Sequence, residues 1–252
     1  MKKHLILLVL LACTLASGWA QVQKKVSILG DSYSTFKGYV QPDTNFVWYP
    51  ADKNDVIKLE QTWWHQFINN YGYLLEVNNS FSGSTICNTG YRKEDYSDRS
   101  FITRMDKLGN PDIILIFGGT NDSWAKSPIG EYKYANWTDK ELYSFRPAMA
   151  YLLDGIRKLY PRARTYFILN SELRSEINSS VYTICTHYEI PVINLYEIDK
   201  QRSHPSISGM KSISSQVQSF LEKEALNKEL EEIKSELKAI KELLKEQKEV
   251  KK

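Results

Sequence analysis

The chain of 252 residues reads as an α/β protein, a three-layer α/β/α sandwich built on a five-stranded parallel sheet. Three observations predict it. Short apolar runs recur between turn signals, they are nearly continuous in Val, Ile, Leu and Phe rather than alternating, and helical patterns fall between them. Continuous apolar strands suit a sheet that is covered on both faces. Strand and helix in alternation make that sheet parallel, with right-handed crossovers. A composition of 42% apolar and 25% charged residues argues for one main domain with a full core and against disorder.

The first strand is expected over residues 25–29, where Val26, Ile28 and Leu29 run into the polar turn Gly30-Asp31-Ser32. A helix follows over 63–71, then a second strand over 73–78 and a third over 112–117. Residues 145–160 read as helix, 165–169 as the fourth strand, 179–188 as helix and 191–195 as a short fifth strand. A last helix opens near Ser208. The implied class is a flavodoxin-like sandwich, in which ligands bind at the carboxyl ends of the strands. The long connections 35–62, 86–105 and 123–144 fall on that edge, and loops of such length are commonly functional. They carry Phe46, Trp48, Tyr49, Tyr91 and Trp124 among other aromatic residues, suited either to stacking on sugar rings or to capping the core.

Residues 1–20 read as a secretory signal peptide. Met1-Lys2-Lys3-His4 precedes an apolar run from Leu5 to Leu15, and small residues lead to a cleavage point after Ala20; the run is too short for a lasting membrane anchor. A second reading takes Leu10-Leu11-Ala12-Cys13 as a lipoprotein box with Cys13 lipidated. Both readings export the protein, to the periplasm or outside the cell. Cleavage removes two lysines and no acid, so the formal charge of +3 falls by two, and no electrostatic case for nucleic acid remains. Cys87 and Cys185 stay in the mature chain, either as buried thiols or as a disulfide that export permits.

The main domain is expected over 21–222 and a separate helical element over 223–252. Leu226, Leu230, Ile233, Leu237, Ile240 and Leu244 are spaced alternately by four and three, a heptad seam. With Leu230, Leu237 and Leu244 at position a, the d positions are Leu226, Ile233 and Ile240. Leucine at a with isoleucine at d favours trimers or tetramers, and Glu229 with Lys234 and Glu236 with Lys241 take the g and e′ positions. A homo-oligomer is expected; the alternative is an amphipathic helix lying on its own domain.

Ser32, at a strand-to-helix turn, is a candidate nucleophile, and His204 a candidate base because imidazole can accept and return a proton near neutrality. The other histidines fit less well. His4 leaves with the signal peptide, His65 lies within a helical pattern, and His187 precedes the last strand on the opposite edge of the sheet. Gly83 follows the second strand, Gly119-Thr120-Asn121-Asp122 the third, and His204-Pro205 the fifth.

In that order these fragments resemble the SGNH, or GDSL, hydrolase family of esterases and lipases, over about residues 25–222. The resemblance implies Ser32 as nucleophile, His204 as general acid and base, and an oxyanion hole formed by the backbone N–H groups of Ser32 and Gly83 and the side-chain amide of Asn121. The family usually carries an orienting aspartate three residues before the histidine, where this chain has Gln201; Asp199 lies five before. Three readings stay open: Asp199 serves through a longer loop, a backbone carbonyl orients His204 and leaves a dyad, or the enzyme is impaired. No cofactor is required, and neither metal-ligand spacing nor a nucleotide-binding glycine motif is present.

Export and aromatic loops suggest a short acyl ester, such as acetyl, on a carbohydrate. The alternatives are a lipase, lysophospholipase or thioesterase of the same family, and a non-catalytic, multivalent glycan-binding or assembly protein on this fold.

Overall fold

Val26, Ile28 and Leu29 alternate between two apolar cores, so the strand they form must be covered on both sides. It is. The computed structural model describes residues 23–250; the expected signal peptide and Cys13 lie outside them. Five strands, β1 (Lys25–Gly30), β2 (Leu74–Ser80), β3 (Ile113–Phe117), β4 (Arg164–Leu169) and β5 (Val192–Asn194), form one sheet in the order β2-β1-β3-β4-β5. Every pairing is parallel, which is the flavodoxin-like order the class requires.

The helices are α1 (Trp63–Asn70), α2 (Phe101–Arg104), α3 (Thr120–Trp124), α4 (Phe145–Leu159), α5 (Ser175–His187) and α6 (Ile207–Val250). On one face of the sheet Leu29, Ile114, Ile116 and Phe167 pack against Met149, Leu153, Ile177 and Val181 of α4 and α5. On the other, Ile28, Leu115, Phe117 and Ile168 meet Trp63, Phe67, Met210, Ile213 and Val217 of α1 and α6. Helix α5 starts one turn earlier than its sequence suggests, because Ile177 joins Val181 and Ile184 in one buried stripe. Cys87 and Cys185 are both buried free thiols.

One element carries no sequence signal. Residues Lys200–Gln201 (β6) and His204–Pro205 (β7) form an antiparallel hairpin, with Arg202 (φ 51) and Ser203 (φ 63) both left-handed at its tip. Two-residue hairpins of this kind normally use Asn or Gly there; neither is present. Tertiary contacts hold the tip instead, with Tyr33 Oη donating to the Ser203 carbonyl at 2.6 Å and Tyr49 Oη to the Pro205 carbonyl at 2.8 Å.

The hairpin is seated on the first turn of α6, where only a glycine fits: a Cβ at Gly209 would lie 2.1 Å from the Asp199 carbonyl oxygen. Gly209→Ala is therefore expected to destabilise the fold by about 1–3 kcal/mol, as overpacking does. Thermal denaturation measures this, and a melting temperature equal to that of the parent would contradict the packing described.

Candidate active site

The turn that carries Ser32 is fixed from both ends. Strand β1 stops at Gly30, where a Cβ would come within 2.6 Å of Ser80 Oγ, so the chain tucks against β2 before it turns. Asp31 then caps a 3-10 turn over Ser32–Ser34, accepting from the Tyr33 backbone N–H at 3.0 Å. Ser32 and His204 are both buried, and His204 Nε2 lies 2.9 Å from Ser32 Oγ.

The other ring nitrogen, Nδ1, lies 3.1 Å from the carbonyl oxygen of Arg202. A carbonyl can only accept, so Nδ1 carries the proton and Nε2 presents its lone pair to the serine hydroxyl. Burial lowers the imidazole pKa to about 4, partly opposed by the Arg202 carbonyl. Trp48 stacks flat on the ring, with centroids 3.7 Å apart and planes within 2°, and Trp124 meets it edge-on at 6.0 Å.

Asp199 is not brought to the imidazole. Its carboxylate accepts from Ser206 Oγ, and Ser206 Oγ accepts in turn from the Gly209 N–H at 3.2 Å, so the acid braces the start of α6. Gln201 is also turned away, its Oε1 accepting from the Asp55 N–H at 2.8 Å. The left-handed tip explains both: it swings the Arg202 carbonyl under Nδ1 and leaves the preceding side chains behind the hairpin.

Gly83 follows β2 with φ +83 and open space where a Cβ would be, a conformation that favours glycine. Its loop is tied to the Ser32 turn by Phe81 N–H donating to the Gly30 carbonyl at 3.1 Å. Asn121 lies in α3, opened by Gly119 at φ +87. Tyr91 Oη donates to Asn121 Oδ1 at 2.7 Å, which sets the amide so that Nδ2 is the free end. That nitrogen is buried with no hydrogen-bond partner among the described residues. A buried unpaired donor is costly, and a developing oxyanion is the partner its chemistry suits.

Three residues to which the sequence assigns no part in the catalytic set hold these parts in place. Asp122 accepts from the Ile86 and Cys87 N–H groups at 2.8 and 3.3 Å, joining α3 to the loop after Gly83. Arg104, fully buried in α2, donates to the Gly30 carbonyl at 3.2 Å, to the Asn79 carbonyl and to Ser84 Oγ at 2.9 Å. Tyr91 is the third. Burial raises Asp31 to about 7 and Asp122 to about 6, and lowers Arg104 to about 9.

The loop aromatics divide. Trp48, Tyr49 and Tyr91 are part of the internal bonding of the site. Phe46 and Trp124 are 65% and 39% exposed; Phe46 packs edge-on against Phe81, beside Gly83, and Trp124 borders His204. Among the described residues no cluster of His, Cys, Asp and Glu is arranged to hold a metal ion.

Residues 24–221 match the family model described as GDSL-like lipase/acylhydrolase. A solved structure designated a GDSL-like lipase from Bacteroides ovatus is 61% identical, with a TM-score of 0.79, covering 81% of this chain and 100% of its own. A similarly designated lipase from Bacteroides uniformis is 59% identical, with a TM-score of 0.79, covering 80% of this chain and 97% of its own. A family two carbohydrate esterase from Clostridium thermocellum, solved with cellohexaose, shares the fold at 14% identity and a TM-score of 0.53, covering 83% of this chain and 66% of its own. No curated protein matches.

Three outcomes are expected from this geometry. Asp199→Asn keeps kcat within about threefold of the parent while Ser32→Ala abolishes turnover; a loss near the ~10⁴ that follows removal of an orienting carboxylate would put Asp199 back on the imidazole. With the imidazole held at about 4, Nε2 is already unprotonated at pH 5 to 7, so the acid limb of kcat/KM lies near pH 4. A limb near 6.5 in the pH–rate profile would contradict it. Tyr91→Phe, which frees the Asn121 amide to turn, lowers kcat about tenfold with little change in KM, a fraction of the 10²–10³ lost with a whole oxyanion donor.

Proposed function

We propose that this chain, which belongs to the GDSL-like lipase/acylhydrolase family, is an exported serine esterase that removes a short acyl group, such as acetyl, from a carbohydrate. The observation that carries the reading is the contact of 2.9 Å between Ser32 Oγ and His204 Nε2, on the sheet edge that also holds Asn121 Nδ2, a buried donor with no partner among the described residues.

In this reading the Ser32 hydroxyl attacks the acyl carbon and gives its proton to His204 Nε2. The carbonyl oxygen becomes an oxyanion, stabilised by the N–H groups of Ser32 and Gly83 and by Asn121 Nδ2. Collapse expels the alcohol, which takes the proton back from His204. Water then repeats the sequence on the acyl-serine, with His204 again as base and then acid. The imidazolium formed on the way has no carboxylate beside it. Its Nδ1–H is held by the Arg202 carbonyl, and the Trp48 ring lies against its face, where an aromatic surface attracts a cation.

Support for a sugar ester comes from the exposed rings of Phe46, which packs on Phe81 two residues before Gly83, and of Trp124, which borders His204, and from polar residues interspersed along the same loops. A second reading is favoured by the lipase designation of the similar Bacteroides proteins: a lipase acting on longer acyl chains, for which the same two rings would line the acyl path.

A panel of acetylated sugars against medium-chain acyl esters separates them. We expect higher kcat/KM on the acetylated sugars; preference for chains of six or more carbons would select the lipase. Labelling by an organophosphonate is expected at Ser32 alone, and no labelling would remove both readings.

A further inference from the structure

Helix α6 has two apolar faces, and only one of them is used. Met210, Ile213, Val217 and Leu221 pack into the core beneath the sheet, and Glu224 ends the contact with the domain by bonding Arg164 and Tyr166. From Leu226 the apolar stripe changes side. At about 100° per residue, the mean direction of Leu226, Leu230, Ile233, Leu237 and Ile240 lies about 180° from that of the packed stripe. These five side chains are 47–64% exposed, on a helix that runs on to Val250. A helix lying on its own domain would continue the first stripe. This one presents its second stripe away from the domain, where none of the described residues covers it.

We propose that this face binds further copies of the chain, as a parallel coiled coil of three or four helices. The occupant is chosen by the seam itself. Spacing that alternates four and three keeps one side of each helix against its partners, and leucine at a with isoleucine at d fits bundles above the dimer. Orientation follows from charge. Parallel helices bring Glu229 to Lys234 and Glu236 to Lys241 of the neighbour. Antiparallel ones oppose glutamate to glutamate and lysine to lysine. In the single chain Lys234 pairs with Glu231 of its own helix at 2.7 Å, an exposed contact that contributes little and gives way readily. Assembly gathers the catalytic domains at one end of a helical stem and raises their effective concentration on a polymeric substrate.

The test is the mass in solution of the chain from residue 21 to 252, by light scattering. We expect about three or four times the mass of one chain, in keeping with the a and d residues. Leu230→Glu with Leu237→Glu is expected to return it to one chain, with thermal unfolding of the catalytic domain and turnover of a soluble ester unchanged. A native mass of one or two chains overturns the proposal, as does a double variant that keeps the native mass. Glu229→Lys with Glu236→Lys should weaken assembly, and adding Lys234→Glu with Lys241→Glu should restore it; failure to restore overturns the parallel arrangement.

Discussion

The guanidinium of Arg104 is the point from which the site hangs. It reaches the carbonyl that ends β1, a carbonyl near the end of β2 and the hydroxyl just after Gly83, while Nε donates to the Arg99 carbonyl at 2.9 Å. These segments are far apart in sequence, and the sheet alone fixes only where their strands stop. A buried cation without partners would be strongly destabilising. Here carbonyl dipoles and the nearby Asp31 meet the charge, and although burial lowers Arg104 to about 9 it remains a cation at neutral pH. The Ser32 turn and the Gly83 loop therefore share one anchor, and neither can shift without breaking a charge-assisted bond.

Three aspartates surround the site, and each holds something other than the imidazole. Asp31 receives the Tyr33 N–H, Asp122 the Ile86 and Cys87 N–H groups, and Asp199 the Ser206 hydroxyl. Carboxylates so placed set backbone positions, which is where an oxyanion hole needs rigidity. Histidine orientation passes to a carbonyl. The division is physically consistent, because a carbonyl oxygen can only accept and so fixes the tautomer, while adding no third buried carboxyl beside Asp31 and Asp122, both already raised by burial.

What the sequence discloses is local or periodic. The strands were legible because Val, Ile and Leu run unbroken through them. The Ser32 turn was legible because an apolar strand ends in Gly-Asp-Ser, and Gly83 through the order of fragments that resembles the SGNH family; its open, left-handed position emerges only in the fold. What it conceals depends on contacts between distant segments. Arg104 reads as an ordinary surface charge next to Thr103 and Met105, and only the fold buries it. Tyr91 and Trp48 look like any loop aromatic until one bonds Asn121 and the other covers His204. The hairpin at Arg202 and Ser203 has no turn residue to announce it, since Tyr33, Tyr49 and Asn54 impose its shape from outside. For that reason counting back from His204 to an aspartate was a poor guide to what touches Nδ1.

A histidine with a pKa near 4 is a weak base, and the proposed chemistry asks it to become an imidazolium. Relative to an unperturbed value near 6.5, burial disfavours that cation by about 3 kcal/mol. The proposed reaction offsets that cost. As the serine attacks, negative charge develops on the acyl oxygen beside the ring, and two charges formed together in a dry site attract far more strongly than in water. The Trp48 face adds on the order of 2 kcal/mol where the cation is desolvated. In the proposed chemistry, protonation of His204 is thus coupled to formation of the oxyanion. The arrangement keeps Nε2 free to accept a proton over a wide range of pH, and it makes the ion pair stable only when an acyl carbonyl is there to supply the other half.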